Sequence, residues 1–160
     1  KELDGPALVK LCLPHLQKAG YVPENPDAAT LAWVETMVTA LREHIQYGAQ
    51  VTDAAKVFFT DEYEAENEET ADVLKEETAP AVLTAFLKEL EALDEVTADT
   101  VQPLFKKVQK GVGVKGKFVY MPIRVALTGV MHGPDLNVII ALMGREKVVQ
   151  RLRRSGLIAE

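Results

Sequence analysis

The chain has 160 residues, of which 48% are hydrophobic and 26% charged, with one cysteine and a formal net charge of −6. That length holds one domain or two small ones around a real core, and the lone Cys12 excludes an internal disulfide and fits a reducing compartment. No apolar run reaches the roughly 18–20 residues of a membrane-spanning helix, so a membrane is not expected as a partner.

The first helix is predicted over residues 6–19, where Ala7, Leu8, Leu11, Cys12 and Leu16 recur at helical spacing. Pro14 is expected to kink it or split it into two turns, and Gly20 to stop it. After a Pro- and Asn-rich loop, Asp27 or Thr30 caps a second helix whose apolar face is Leu31, Val34, Val38, Leu41 and Ile45, ending near Gly48. A short helix from Val51 to Phe58 follows, with Thr52 or Asp53 as its cap. The acidic run TDEYEAENEETADVL is the best boundary, and it divides the chain into subdomains at 1–67 and 68–160.

Beyond it, a helix starting near Thr78 carries the stripe Val82, Leu83, Phe86, Leu87 and Leu90, with Lys88 and Glu91 facing water. Thr97 or Asp99 opens the next, through Val101, Leu104, Phe105 and Val108, and Gly111 ends it. KFVYM has the composition to run extended for a few residues, but a lone short strand has nothing to pair with. Pro122 suits the first turn of a further helix that Gly129 ends in the left-handed conformation. Gly133-Pro134 starts an apolar helix closed by Gly144, and a basic helix runs from Arg145 to about Ser155. The fold class is all-α, as two small helical subdomains.

The charge is unevenly spread. Residues 61–100 hold two Lys/Arg against fourteen Asp/Glu, and residues 101–160 hold eleven against three. A local basic field binds phosphates whatever the average, provided the fold keeps the acidic block on another face. Arg145, Lys147, Arg151, Arg153 and Arg154 are expected to form a cationic face on the last helix, for backbone contacts or for solubility.

GVGVKGK at 111–117 matches Gly-x-Gly-x-x-Gly and the first seven positions of a P-loop. The next residue is Phe118 rather than a Ser or Thr for magnesium, and the motif follows a helix where nucleotide loops follow a strand. It reads as a turn whose lysines remain available to a polyanion. The three histidines lack metal-ligand spacing, and Cys12 beside His15 sits in an apolar stripe, as a buried inert thiol does. No catalytic centre and no cofactor site is expected within these residues. His44 is placed beside Arg42 on an exposed helix side, where a cation and a ring could meet a base or phosphate. Arg124 sits among apolar residues at a helix start that does not favour a cation, so it is either paired internally or turned to a nucleic acid. Gly133-Pro134 is either a plain tight turn or a corner supporting a base or phosphate.

Two stretches resemble the C-terminal anticodon-binding region of bacterial-type glutamyl-tRNA synthetases. One is LVKLCLPHLQKAGY with LREHIQYGAQVTDAAKVFFTDEY; the other is KGKFVYMPIRVALTG, HGPDL and ALMGREKVVQRL. Together they cover nearly the whole chain, in the family's order. The resemblance implies two helical subdomains gripping the anticodon arm, with RNA contacts at Arg42, His44, Arg124, Gly133, Pro134 and Leu136. It implies tRNA-Glu as partner (tRNA-Gln as a second) and a monomeric cytoplasmic ligase. The parent enzyme's upstream domain would use ATP and magnesium; the family's two catalytic motifs are not in these residues, which reads as a piece excised from a longer protein. His44 departs from the pattern, because members that discriminate the third anticodon base place an arginine there. The competing expectation is a helical protein-interaction module with an apolar groove beside Val138 and Ile139. A weaker one is phosphate binding at Gly111–Lys117.

Overall fold

The computed structural model describes residues 4–44, 50–60 and 63–158, apart from the side chain of His44. Among these, every regular element is helical, and the chain falls into two compact units, residues 1–61 and 62–160.

In the first unit, α1 (Gly5–Lys18), α2 (Ala28–Leu41) and α3 (Val51–Phe59) pack pairwise around Leu8, Cys12, Leu16, Val34, Met37, Val38, Ala55 and Phe58. Asp4 and Asp27 are the caps, their carboxylates accepting the Ala7 and Thr30 backbone N–H at 2.9 and 2.8 Å. Trp33 meets Phe58 and Phe59 edge-on, while Tyr21 stacks on Phe59 with ring centroids 4.8 Å apart.

Several expectations change here. α1 runs through Pro14 unbroken, since a proline near a helix end forfeits one hydrogen bond and no following turn must be realigned. Leu11, expected in the apolar stripe, is 47% exposed. α2 ends at Leu41 and passes into a 3-10 turn, Arg42–His44, rather than continuing to Gly48. Ile45 and Gly48 lie outside the described residues. The N-cap of α3 is Gln50, without a side-chain cap from Thr52 or Asp53.

The second unit contains α4 (Glu68–Val73), α5 (Ala79–Glu91), α6 (Ala98–Val112), α7 (Lys117–Thr128), α8 (Leu136–Met143) and α9 (Arg145–Arg154). α5 packs on α6 and α7, and α9 packs on α7 and α8. Phe86 and Phe105 stack at 5.5 Å between α5 and α6, and Tyr120 of α7 adds its ring to Phe105 at 4.8 Å. The expected stripe of α5 is buried throughout, and Thr97 opens α6 with a reciprocal capping box to Thr100.

α4 was not anticipated within the acidic run. Asn67 caps it, and Thr70 and Val73 turn inward, leaving the carboxylates outside. α6 continues through Gly111 to Val112 and ends at Gly113. KFVYM is the first part of α7, so Pro122 lies inside that helix rather than in its first turn, and Arg124 lies two-thirds of the way along it. Pattern alone misplaced this start because a helical Phe-Val-Tyr-Met needs partners from α5 and α6, which only the fold supplies.

Candidate nucleic-acid interface

The stretch from the end of α7 to the start of α8 is fixed by an unusual number of hydrogen bonds. A helix end leaves its last carbonyls without intrahelical donors, and here each of several finds one. The Val125 carbonyl accepts from Gly129 N–H, the Ala126 carbonyl from the Tyr63 hydroxyl, and the Leu127 carbonyl from Arg151 Nη1 at 2.8 Å. Thr128 Oγ1 donates back to the Arg124 carbonyl at 2.7 Å, and the Gly129 carbonyl accepts Glu66 N–H at 2.9 Å. Residues 63–66 thus strap the helix end. Gly129 is required there, with φ +76° and space in which an added Cβ would fall 2.5 Å from the Glu64 carbonyl oxygen.

This clamp takes Arg151 out of the expected cationic face of α9, while Arg153 and Arg154 stay exposed on it. Arg151 is 1% exposed and caps α7 from inside the unit. Arg145 caps α5 likewise, donating to the Leu90 carbonyl at 2.8 Å and to the Leu93 carbonyl. Arg153 lies 3.8 Å from Glu91 at the same helix end, and Arg154 sits over the Tyr63 ring at 4.7 Å. Guanidinium groups suit such work, because they donate in a fixed fork and are attracted to the negative end of a helix.

Arg124 behaves differently. It projects from α7 against the turn that leads into α8, with Nη1 placed so that a Cβ on Gly133 would stand 3.4 Å away. Nη1 is buried and has no hydrogen-bond acceptor among the described residues. Burial pushes the Arg124 guanidinium below its ordinary pKa, and the Asp135 carboxylate pushes it back up. An arginine keeps its charge in any case. The charge is therefore held next to a partly paired turn, Gly133-Pro134-Asp135, with Asp135 exposed and the φ of Gly133 at +147°.

The structure thus gathers Arg124, Gly133 and Pro134 into one place. Leu136 begins α8 with its side chain 3% exposed, so it anchors the turn from beneath. Asn137 Nδ2 donates to the Ala98 carbonyl at 3.2 Å and ties this corner to the start of α6. Asp135 and Asn137 were not singled out from the sequence, although both lie in the HGPDLN stretch; their charge balance with Arg124 and their tether are tertiary. In the first unit, Arg42 is half-buried at the end of α2, and the His44 side chain lies outside the described residues.

The alternatives lose their geometry. Ile139 is 3% exposed and packed in the core, where the interaction-module reading needs it to line a groove. Gly111 and Val112 belong to α6 and Lys117 to α7, so the glycine motif is a helix–helix turn. Cys12 is fully buried, and burial pushes its thiol pKa up, away from the reactive thiolate. Among the described residues, no group of three His, Cys, Asp or Glu could hold a metal ion, and no helix is long and apolar enough to cross a membrane.

Comparison with known proteins adds the following. Residues 7–155 match the family described as the anticodon binding domain. The chain is 50% identical over 147 residues to the glutamate–tRNA ligase of Listeria monocytogenes serotype 4b, covering 91% of this chain and 30% of that protein. It is 46% identical over 153 residues to the glutamate–tRNA ligase of Bacillus subtilis, covering 96% and 32%. It therefore spans about a third of the length of these relatives. The fold is shared with a crystal structure of a glutamate tRNA ligase from Elizabethkingia meningosepticum, at TM-score 0.81 and 16% identity over 96% of this chain and 29% of that one. A glutamate-tRNA synthetase from Elizabethkingia anophelis gives TM-score 0.72 at 18% identity, over 96% and 28%.

Proposed function

The chain belongs to the anticodon binding domain family, and on that premise we propose that it is the anticodon-recognising portion of a glutamate–tRNA ligase, bound to the anticodon loop of tRNA-Glu. The observation that carries this reading is the Arg124 corner. A buried donor without an acceptor costs about 1–3 kcal/mol, and Arg124 Nη1 is such a donor. Retaining a guanidinium against Gly133 makes sense if an incoming base edge or phosphate supplies the acceptor.

The mechanism is recognition without bond-making. Single-stranded loop bases are splayed and read by edge hydrogen bonds and packing. Arg124 donates, the Gly133-Pro134 turn offers a rigid surface, and Leu136 holds that turn in place. Arg42 and His44 contribute from the first unit. Because His44 replaces the arginine of discriminating relatives, recognition of the third anticodon base is relaxed and tRNA-Gln also binds. In the parent enzyme, a cytoplasmic monomer, the remaining two-thirds of the protein activates glutamate with ATP and magnesium and transfers it to the tRNA.

The test is fluorescence anisotropy of this chain with labelled anticodon stem-loops of tRNA-Glu and tRNA-Gln and a scrambled loop. Both natural loops should bind more tightly than the scrambled one and within about tenfold of each other. His44→Arg should widen that Glu/Gln ratio. Equal binding of all three loops would overturn the reading.

A further inference from the structure

On α9, Arg151 is buried and Arg145 is turned to the end of α5, while Arg153 and Arg154 stay exposed beside Glu91 and Tyr63. A separate set of cations faces solvent elsewhere in the second unit. Lys106, Lys107 and Lys110 are exposed on α6, Lys115 in the turn after it, and Lys117 on the first residue of α7. The core dictates this placement. Val101, Leu104, Phe105 and Val108 are buried, so the i, i+4 pair Lys106 and Lys110 shares the opposite side. Lys107 approaches Glu89 at 3.9 Å between exposed side chains, and among the described residues Lys106, Lys110, Lys115 and Lys117 form no ion pair. Helix electrostatics account for Lys110, which lies in the last turn of α6. They oppose Lys117, a cation at a helix N-terminus, and are indifferent to Lys106.

We propose that this lysine face binds the phosphates of the RNA stem whose loop meets the Arg124 corner; the inference rests on the anticodon-binding reading. The tether from Asn137 to the Ala98 carbonyl places the start of α8 beside the first residue of α6. Lys106 and Lys110 follow eight and twelve residues later, about 12 and 18 Å along the helix at 1.5 Å per residue. That separation exceeds one nucleotide and matches phosphates several nucleotides from the bases being read. Base contacts at one end would then specify, while phosphate contacts at the other would orient the RNA without reading sequence.

The experiment is a salt series of anisotropy titrations with cognate and scrambled stem-loops, using wild type and the triple variant Lys106→Gln/Lys110→Gln/Lys117→Gln. A second triple variant, Lys10→Gln/Lys18→Gln/Lys75→Gln, removes the same charge from exposed positions elsewhere. Each lost phosphate contact flattens the log K against log salt slope by about 0.7–0.9. The α6–α7 triple should therefore lose about two units of slope and on the order of tenfold or more in affinity. That loss should be equal for both RNAs, with the cognate preference intact and melting temperature unchanged. An unchanged slope, or an equal flattening in the second triple, overturns the proposal while the anticodon reading stands. Loss of cognate preference already in wild type sinks the anticodon reading instead, and failure of wild type to bind either RNA overturns both.

Discussion

Arg151 lies across the ring of Tyr63, its guanidinium carbon 4.7 Å from the ring centroid, and the two side chains donate to adjacent carbonyls, Leu127 and Ala126, at the end of α7. One aromatic and one cation thus close a helix end that the backbone alone leaves open. Tyr63→Phe keeps the ring under both arginines and removes only the hydroxyl donor, so it should cost about 1 kcal/mol. Arg151→Ala also removes packing and leaves the Leu127 carbonyl unsatisfied, and should cost about 2–4 kcal/mol. Urea unfolding of both variants checks the order; equal losses would mean that the two donors hold the strap and that the Arg151 ring contact and packing add nothing.

The strap has no room for a side chain at Gly129. Gly129→Ala combines a left-handed backbone with a clash against the Glu64 carbonyl, and should destabilise the second unit by at least about 2 kcal/mol. Denaturant unfolding followed by far-UV circular dichroism would measure this, and a loss under about 0.5 kcal/mol would show that residues 63–66 peel away freely.

Asp27 gives the first unit a pH dependence. Its carboxylate accepts the Thr30 N–H at 2.8 Å, and that backbone hydrogen bond holds its pKa below the ordinary 3.8. A carboxyl whose folded pKa is depressed contributes stability that is complete above its unfolded value and disappears as pH falls through the folded one. The stability gap between wild type and Asp27→Ala should therefore be constant near neutrality and close in acid below 3.8. A gap that persists unchanged into strong acid would contradict the cap.

Helices whose signals are local were legible from sequence. Asp27 and Thr97 as caps, Gly129 as a left-handed stop and the α5 stripe all follow from chemistry within one or two turns. What escaped was set by partners distant in sequence. KFVYM gave no strong helical period, yet it is helical because Tyr120 packs on Phe105 and Val119 is buried. Arg145 and Arg151 of α9 read as part of a surface face because sequence records their charge and not the helix-end carbonyls of Leu90, Leu93 and Leu127 to which they donate. At the site, Arg124 and the Gly133-Pro134 turn were singled out separately, and the structure sets Arg124 against Gly133, while Asp135 was passed over because its partner is eleven residues away on another helix.

The most direct test of the account is the coupling between Arg124 and loop sequence. Wild type and Arg124→Gln would each be titrated with the tRNA-Glu anticodon stem-loop and its scrambled counterpart, with unfolding measured in parallel. Removing a half-buried charge that lacks an acceptor on Nη1 should leave stability within about 1 kcal/mol of wild type, or raise it. In the same variant the cognate-to-scrambled preference should collapse toward one, with residual salt-dependent binding retained. A variant that keeps the full cognate preference, or one that loses RNA binding only because it unfolds, would contradict the claim that Arg124 is held in place to read the loop.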